Sequence, residues 1–163
     1  MSLGLYLHIP YCFSKCRYCD FYSAPGQRGV PRAYVDALLR ELSRFAPDAP
    51  LRPDTLYFGG GTPSLLDPAD AARLIAAAQP LPGAEITLEA NPETVTEDSL
   101  RAFREAGVNR ISFGVQSARD SQLKTLGRPH TAKQARAAFA AARRAGFENL
   151  SGDIMLALPH YTQ

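Results

Sequence analysis

Short apolar, β-branched runs alternate along this chain with longer runs rich in alanine, leucine and arginine, and that alternation limits the folds open to it. The strand-like runs are LGLYLHI (3–9), DTLYFGG (54–60), EITLEA (85–90), NRISFGVQ (109–116) and LSGDIMLAL (150–158). Between them, residues 31–45, 67–79, 96–107 and 131–146 carry apolar side chains at helical spacing. Thr96 and Thr131 stand where N-caps are expected, and Gly107 and Gly146 where helices stop. A weak internal repeat, EAGVNRISFGV (105–115) against RAGFENLSGDI (144–154), marks two successive helix-to-strand junctions. Strands separated by helices run parallel, because each crossover returns the chain to the same end of the sheet. The expected fold is therefore α/β with a parallel sheet, either barrel-like or doubly wound.

Polar residues mark the working face of that sheet. At or just past the C-terminal ends of successive strands come His8 and a cysteine loop, then Gly59 to Thr62, then Glu89 and Asn91, then Gln116, then Asp153 and His160. Ligands of parallel α/β folds bind at that rim. The chain of 163 residues is the size of one domain, and its 18 basic and 16 acidic residues are scattered, which predicts a small-molecule ligand and no nucleic-acid partner. No apolar run approaches the roughly 18 residues of a membrane span, and no secretory leader is visible, so a cytoplasmic setting is expected.

All three cysteines, Cys12, Cys16 and Cys19, fall in PYCFSKCRYC, spaced C-x-x-x-C-x-x-C. In a reducing compartment a disulfide is not expected, which leaves metal binding or thiol chemistry. A zinc site would need a fourth ligand, and only His8 is near in sequence. A four-iron cubane normally takes four thiolates, so three would leave one iron open to a cofactor or substrate. Tyr11, Phe13, Tyr18, Phe21 and Tyr22 surround the thiols in sequence, as core packing or as a shell that excludes water from a cluster.

A three-cysteine loop of this spacing after the first strand of a parallel α/β fold resembles the radical S-adenosylmethionine superfamily. The stretches YLHIPYC, YFGGGTPSLL, LEANPE and ISFGVQS, then LGRPHT and DIMLALPHYTQ, resemble in order one branch of it. That branch contains the oxygen-independent coproporphyrinogen III oxidases and their haem-chaperone relatives of the HemW type. The resemblance implies a partial TIM-like barrel over residues 1–163, read as the front part of a longer protein. It implies a 4Fe-4S cluster on Cys12, Cys16 and Cys19, whose open iron binds S-adenosylmethionine and whose electron cleaves the sulfonium to a 5'-deoxyadenosyl radical.

By the same resemblance Tyr6 and Tyr18 flank the cluster, and Gly60, Gly61 and Thr62 form the glycine motif at the cofactor. Glu89 matches a carboxylate on its ribose or amino group. Gln116, Arg128 and Asp153 match residues that line a second S-adenosylmethionine in the oxidase. His8 is expected as a hydrogen-bonding residue beneath the cluster. Two departures point to the chaperone branch: the oxidase pattern has a further cysteine where Phe21 stands here, and it carries a long N-terminal extension before the cluster loop. The implied partners are S-adenosylmethionine, haem or a porphyrinogen, an electron-donor protein and a haem-acceptor protein. Haem itself is expected on a C-terminal domain beyond Gln163.

Overall fold

The computed structural model describes residues 2–45 and 50–158. Five parallel strands form one sheet in sequence order: β1 (Gly4–Ile9), β2 (Thr55–Gly60), β3 (Glu85–Ala90), β4 (Arg110–Gln116) and β5 (Asn149–Ile154). A doubly wound sheet reverses its strand order at a switch point. No reversal occurs here, so the barrel-like alternative holds.

The connecting helices are α1 (Arg32–Phe45), α2 (Pro68–Ala78), α3 (Glu97–Glu105), α4 (Asp120–Leu126) and α5 (Ala132–Arg144). They pack in order, α1 on α2, α2 on α3 and α3 on α5, as one layer. Each of the two expected N-caps closes a reciprocal box. Thr96 Oγ1 accepts from Ser99 N–H (3.1 Å) and Thr131 Oγ1 accepts from Gln134 N–H (3.2 Å), while the Ser99 and Gln134 side chains return to the cap N–H groups. Gly107 (φ 109°) and Gly146 (φ 91°) follow the ends of α3 and α5, in the left-handed region that an L side chain enters only at a cost.

The two faces of the sheet differ chemically. Leu7, Ile9, Leu56, Phe58, Ile86, Leu88, Ile111 and Phe113 alternate along the strands and join the core with Val35, Leu74, Leu100, Phe103 and Phe147. The Ala135, Ala138 and Ala142 stripe buries one face of α5, whose Phe139 packs on Phe113 with ring centroids 4.9 Å apart. The alternate strand positions are polar. Arg110 donates to Thr87 Oγ1 (3.3 Å) and Ser151 Oγ (2.8 Å), and Ser112 Oγ donates to Asp153 Oδ1 (3.4 Å). Full barrels fill that face with branched apolar side chains. Here it is a hydrogen-bonded polar surface suited to a ligand.

Two elements differ from the sequence expectation. The helix α4 has only seven residues, with Leu123 and Leu126 as its buried anchors, too short for a periodic signal. Strand β5 ends at Ile154 rather than 158. Its partner β4 stops at Gln116 after a register shift, and Ala157 turns the chain at φ 54°. Ile154 and Leu156 are exposed. His160 lies outside the described residues.

Candidate metal and cofactor site

The loop between β1 and α1 is pinned by backbone hydrogen bonds on both sides of Cys12. Cys12 N–H donates to Ala24 O (3.0 Å), Gln27 N–H donates to Cys12 O (3.0 Å), and Ala24 N–H donates to Pro10 O (2.7 Å). Farther along, Arg17 N–H reaches Leu126 O at the end of α4 (3.0 Å), and Cys19 N–H closes a turn onto Cys16 O (3.2 Å). The helix that sequence periodicity missed is thus a support for the cysteine loop.

The glycine motif docks against the same loop. Gly61 N–H donates to Ile9 O and Thr62 N–H to Tyr11 O, both at 2.8 Å. A Cβ on Gly61 would sit 2.7 Å from Tyr11 O and 3.0 Å from Cys12 Sγ, and one on Gly60 would sit 2.6 Å from the His8 ring at φ 117°. The chain's own packing therefore requires glycine at both positions, whatever the approach of a ligand.

Cys12, Cys16 and Cys19 are free thiols that share one cavity of about 290 Å³ at the C-terminal ends of the strands. Tyr18, Gly60, Gly61, Thr62, Glu89 and Gln116 line it as well, together with Arg128 and Asp153. The structure thus gathers on one cavity every residue expected to bind cluster or cofactor except Tyr6, and leaves His8 off it as well. Tyr6 is 54% exposed on the open face of β1, its ring stacked on Tyr57 at 5.9 Å. His8 lies beside it, with Nδ1 3.2 Å from Tyr6 Oη and Nε2 3.1 Å from Tyr22 O. Both ring nitrogens are engaged within the protein, which fits the expected hydrogen-bonding role.

The aromatic shell forms only in part. Tyr11 packs edge-on against Tyr34, whereas Phe21 and Tyr22 are 71% and 84% exposed. Phe21 nonetheless lines the thiol cavity, whereas Tyr22 does not. What surrounds the sulfurs is polar. Thr62 Oγ1 donates to Cys12 Sγ (3.6 Å), and Arg128 Nη1 donates to Cys16 Sγ (3.2 Å). Asn91, which lines the cavity and which sequence reading placed only at the rim, joins the two: its Nδ2 donates to Thr62 Oγ1 (3.1 Å) and its Oδ1 accepts from Arg128 Nη2 (2.6 Å).

The ionisable groups are tuned by burial and by one another. Burial pushes Glu89 up, outweighing the opposing hydrogen bonds from Tyr57 Oη (2.8 Å) and Gly60 N–H (3.2 Å). A raised carboxyl contributes stability below its unfolded value and loses it as pH rises through the folded value. Ionisation of Glu89 thus carries a cost that a cationic or hydroxyl-bearing ligand would offset. Burial opposes the Arg128 charge, but contacts with Cys16 and Glu93 prevail and raise its pKa. Burial also pushes the Tyr18 phenol up to about 12, against the pull of Arg128 and with Cys16 and Cys19 adding to the rise, so it stays a neutral donor.

These residues fit a cluster with an attached cofactor. Three thiols from one loop are the donor set of a cubane with one open iron. Arg128 Nε is buried without a hydrogen-bond partner, so the site still has a donor to satisfy. Among the described residues no three His, Cys, Asp or Glu side chains, the three cysteines included, converge on a single metal ion.

A polar rim on a sequential parallel sheet, with three thiols in the first βα loop, defines a class of cluster-binding α/β domain. The chain belongs to the radical SAM superfamily, whose model matches residues 6–163. The haem chaperone HemW of Escherichia coli (strain K12) is 45% identical over 163 residues, 96% of this chain and 43% of that protein. Radical S-adenosyl methionine domain-containing protein 1, mitochondrial, of Bos taurus is 41% identical over 96% of this chain and 36% of its own length. Among solved structures, the coproporphyrinogen III oxidase HemN of Escherichia coli superposes with a TM-score of 0.84 at 31% identity, covering 99% of this chain and 38% of that one. The chain thus spans less than half the length of these relatives. Among its described residues no helix is long and apolar enough to cross a membrane.

Proposed function

We propose that this chain is the cluster- and S-adenosylmethionine-binding part of a haem chaperone that delivers haem to acceptor proteins. The observation that carries the reading is the meeting of Cys12, Cys16 and Cys19 at one cavity with Glu89 and Arg128, in a sequence that has no fourth cysteine. The three thiolates would hold a 4Fe-4S cluster, and Gly60, Thr62 and Glu89 would hold the cofactor beside it. When bound, the pair supplies one-electron reductive cleavage of a sulfonium. The chain's own residues position and shield: Glu89 accepts from a cationic or hydroxyl group, Tyr18 offers a neutral O–H, and Arg128 neutralises thiolate charge. Gln116, at φ 67° in the β4 bulge, and Asp153 would bound the far side of the cavity.

Phe21 supports the chaperone branch over the oxidase, because the oxidase pattern has cysteine at that position. The identities point the same way, with 45% to the Escherichia coli chaperone against 31% to the oxidase structure. Phe21, exposed where it lines the cavity, offers flat apolar surface to a porphyrin ring. The test is anaerobic incubation of the reconstituted chain with reductant, S-adenosylmethionine and coproporphyrinogen III, paired with a haem titration. No decarboxylated product is expected, and haem should bind the full-length protein more tightly than this chain; catalytic formation of protoporphyrinogen would establish the oxidase instead.

Glu89 gives a second expectation. Glu89→Gln should weaken S-adenosylmethionine binding by about 1.5–3 kcal/mol, the scale of a hydrogen bond to a charged group. The cluster should remain intact. Calorimetric titration of reconstituted protein reads this directly, and an unchanged affinity removes Glu89 from the cofactor site.

A further inference from the structure

The Asn91 side chain joins two donors that end on sulfur. Its Nδ2 donates to Thr62 Oγ1, which directs the hydroxyl hydrogen of Thr62 to Cys12 Sγ. Its Oδ1 accepts from Arg128 Nη2 while Nη1 of the same guanidinium donates to Cys16 Sγ. One carboxamide therefore closes an arc between two thiol sulfurs across the ends of β2, β3 and β4.

A buried pair sets the span of this arc. Glu93 lies two residues after Asn91, and His130 lies two residues after Arg128. His130 Nδ1 is 3.0 Å from Glu93 Oε2, and its Nε2 donates to Val115 O (3.1 Å), with the histidine 2% exposed. Burial pushes Glu93 up, but the His130 hydrogen bond and the Arg128 charge outweigh it and hold its carboxyl below the usual range. The clamp fixes the turn that carries Asn91 and the loop that carries Arg128 to the same end of β4. Arg128 Nη2 adds a bond to Gly114 O (2.7 Å).

We propose that Asn91 is a positioning residue that aims hydrogen-bond donors at the sulfurs of Cys12 and Cys16 and so raises the reduction potential of a cluster bound there. Hydrogen bonds to ligand sulfur draw electron density from it and favour the more negative, reduced cluster. This rests on the cluster reading above.

The test is a reductive titration of the reconstituted chain, followed by electron paramagnetic resonance, with iron content measured on each sample. Asn91→Ala removes the bridge, freeing the Thr62 hydroxyl and leaving Arg128 aimed by Gly114 O alone. Asn91→Asp keeps the shape and the Arg128 contact, but a carboxylate only accepts, so the Thr62 hydroxyl turns from Cys12 Sγ toward it. Thr62→Val cuts the Cys12 branch alone. With four irons retained, Asn91→Ala should be at least tenfold harder to reduce, a fall of 59 mV or more for one electron, and Asn91→Asp should fall at least as far, because its added negative charge disfavours the reduced cluster on top of the lost Cys12 branch. Thr62→Val should fall less, in the same direction. Unmoved potentials in fully loaded variants overturn the inference alone, as does loss of iron in both Asn91 variants, which would make the residue merely structural. A parent chain that takes up no four-iron cluster overturns the reading of the site itself, and this inference with it.

Discussion

A Cys16→Ala variant, reconstituted anaerobically with iron and sulfide, is expected to retain no cubane cluster. Under the proposed function each thiolate would supply one of only three protein bonds to the cluster, so the loss of one is not a graded weakening. Cys16 is also the sulfur that receives Arg128 Nη1, and its removal leaves a buried guanidinium hydrogen unmatched beside the Nε that already lacks a partner. The fold should survive, because Cys16 is only partly buried and its loop is held by the backbone bonds at Cys12, Arg17 and Gln27. The expected result is therefore a folded, colourless protein where the parent is brown. Iron and sulfide analysis with charge-transfer absorption checks it, and four irons in the variant would remove the cysteine assignment.

Gly61→Ala should damage both the fold and the site. Its Cβ would meet the carbonyl oxygens of Tyr11 at 2.7 Å and Ile9 at 3.0 Å. Those carbonyls accept the Thr62 and Gly61 N–H bonds at 2.8 Å, so they cannot retreat without breaking them. Overpacking of about 1–3 kcal/mol and two weakened hydrogen bonds of about 1 kcal/mol each give a loss of about 3–5 kcal/mol. For a chain of this size that lowers the melting temperature by roughly 5–20 °C. Cys12 Sγ lies 3.0 Å from the same Cβ, so cluster uptake should fall with it. Gly29→Ala is the control: its Cβ has no neighbour nearer than 3.9 Å, and thermal unfolding should scarcely change. Equal melting temperatures for the two variants would show that the glycine motif is not held by the cysteine loop.

The local parts of this structure were legible because their causes are local. Alternating branched residues produced the five strands within a residue or two at most ends, and Thr96, Thr131, Gly107 and Gly146 cap helices as their chemistry requires. The three thiols and the glycines beside them were visible for the same reason, since each motif is contiguous. Where the sequence misled, the deciding partner was distant. The stretch LSGDIMLAL reads as one strand, yet β5 ends where β4 has no more backbone to offer. The helix α4 has little periodicity of its own and is tied in by Asp120 accepting from Ala132 N–H (2.7 Å) and by Leu126 O accepting from Arg17.

The sequence by itself determined the strand-helix order, the polarity of the sheet rim, and the gathering of all three cysteines of this chain in one loop. Only the tertiary structure decided that the strands stand in sequential order and that Phe21 and Tyr22 face solvent. It alone placed Tyr6 off the cavity and made Asn91 the bridge from Thr62 to Arg128. Those two partners lie 29 and 37 residues from Asn91 along the chain. No spacing rule links them. They meet because parallel strands in register bring the ends of β2, β3 and β4 side by side, and a hydrogen bond responds to that distance in space and not to separation along the chain.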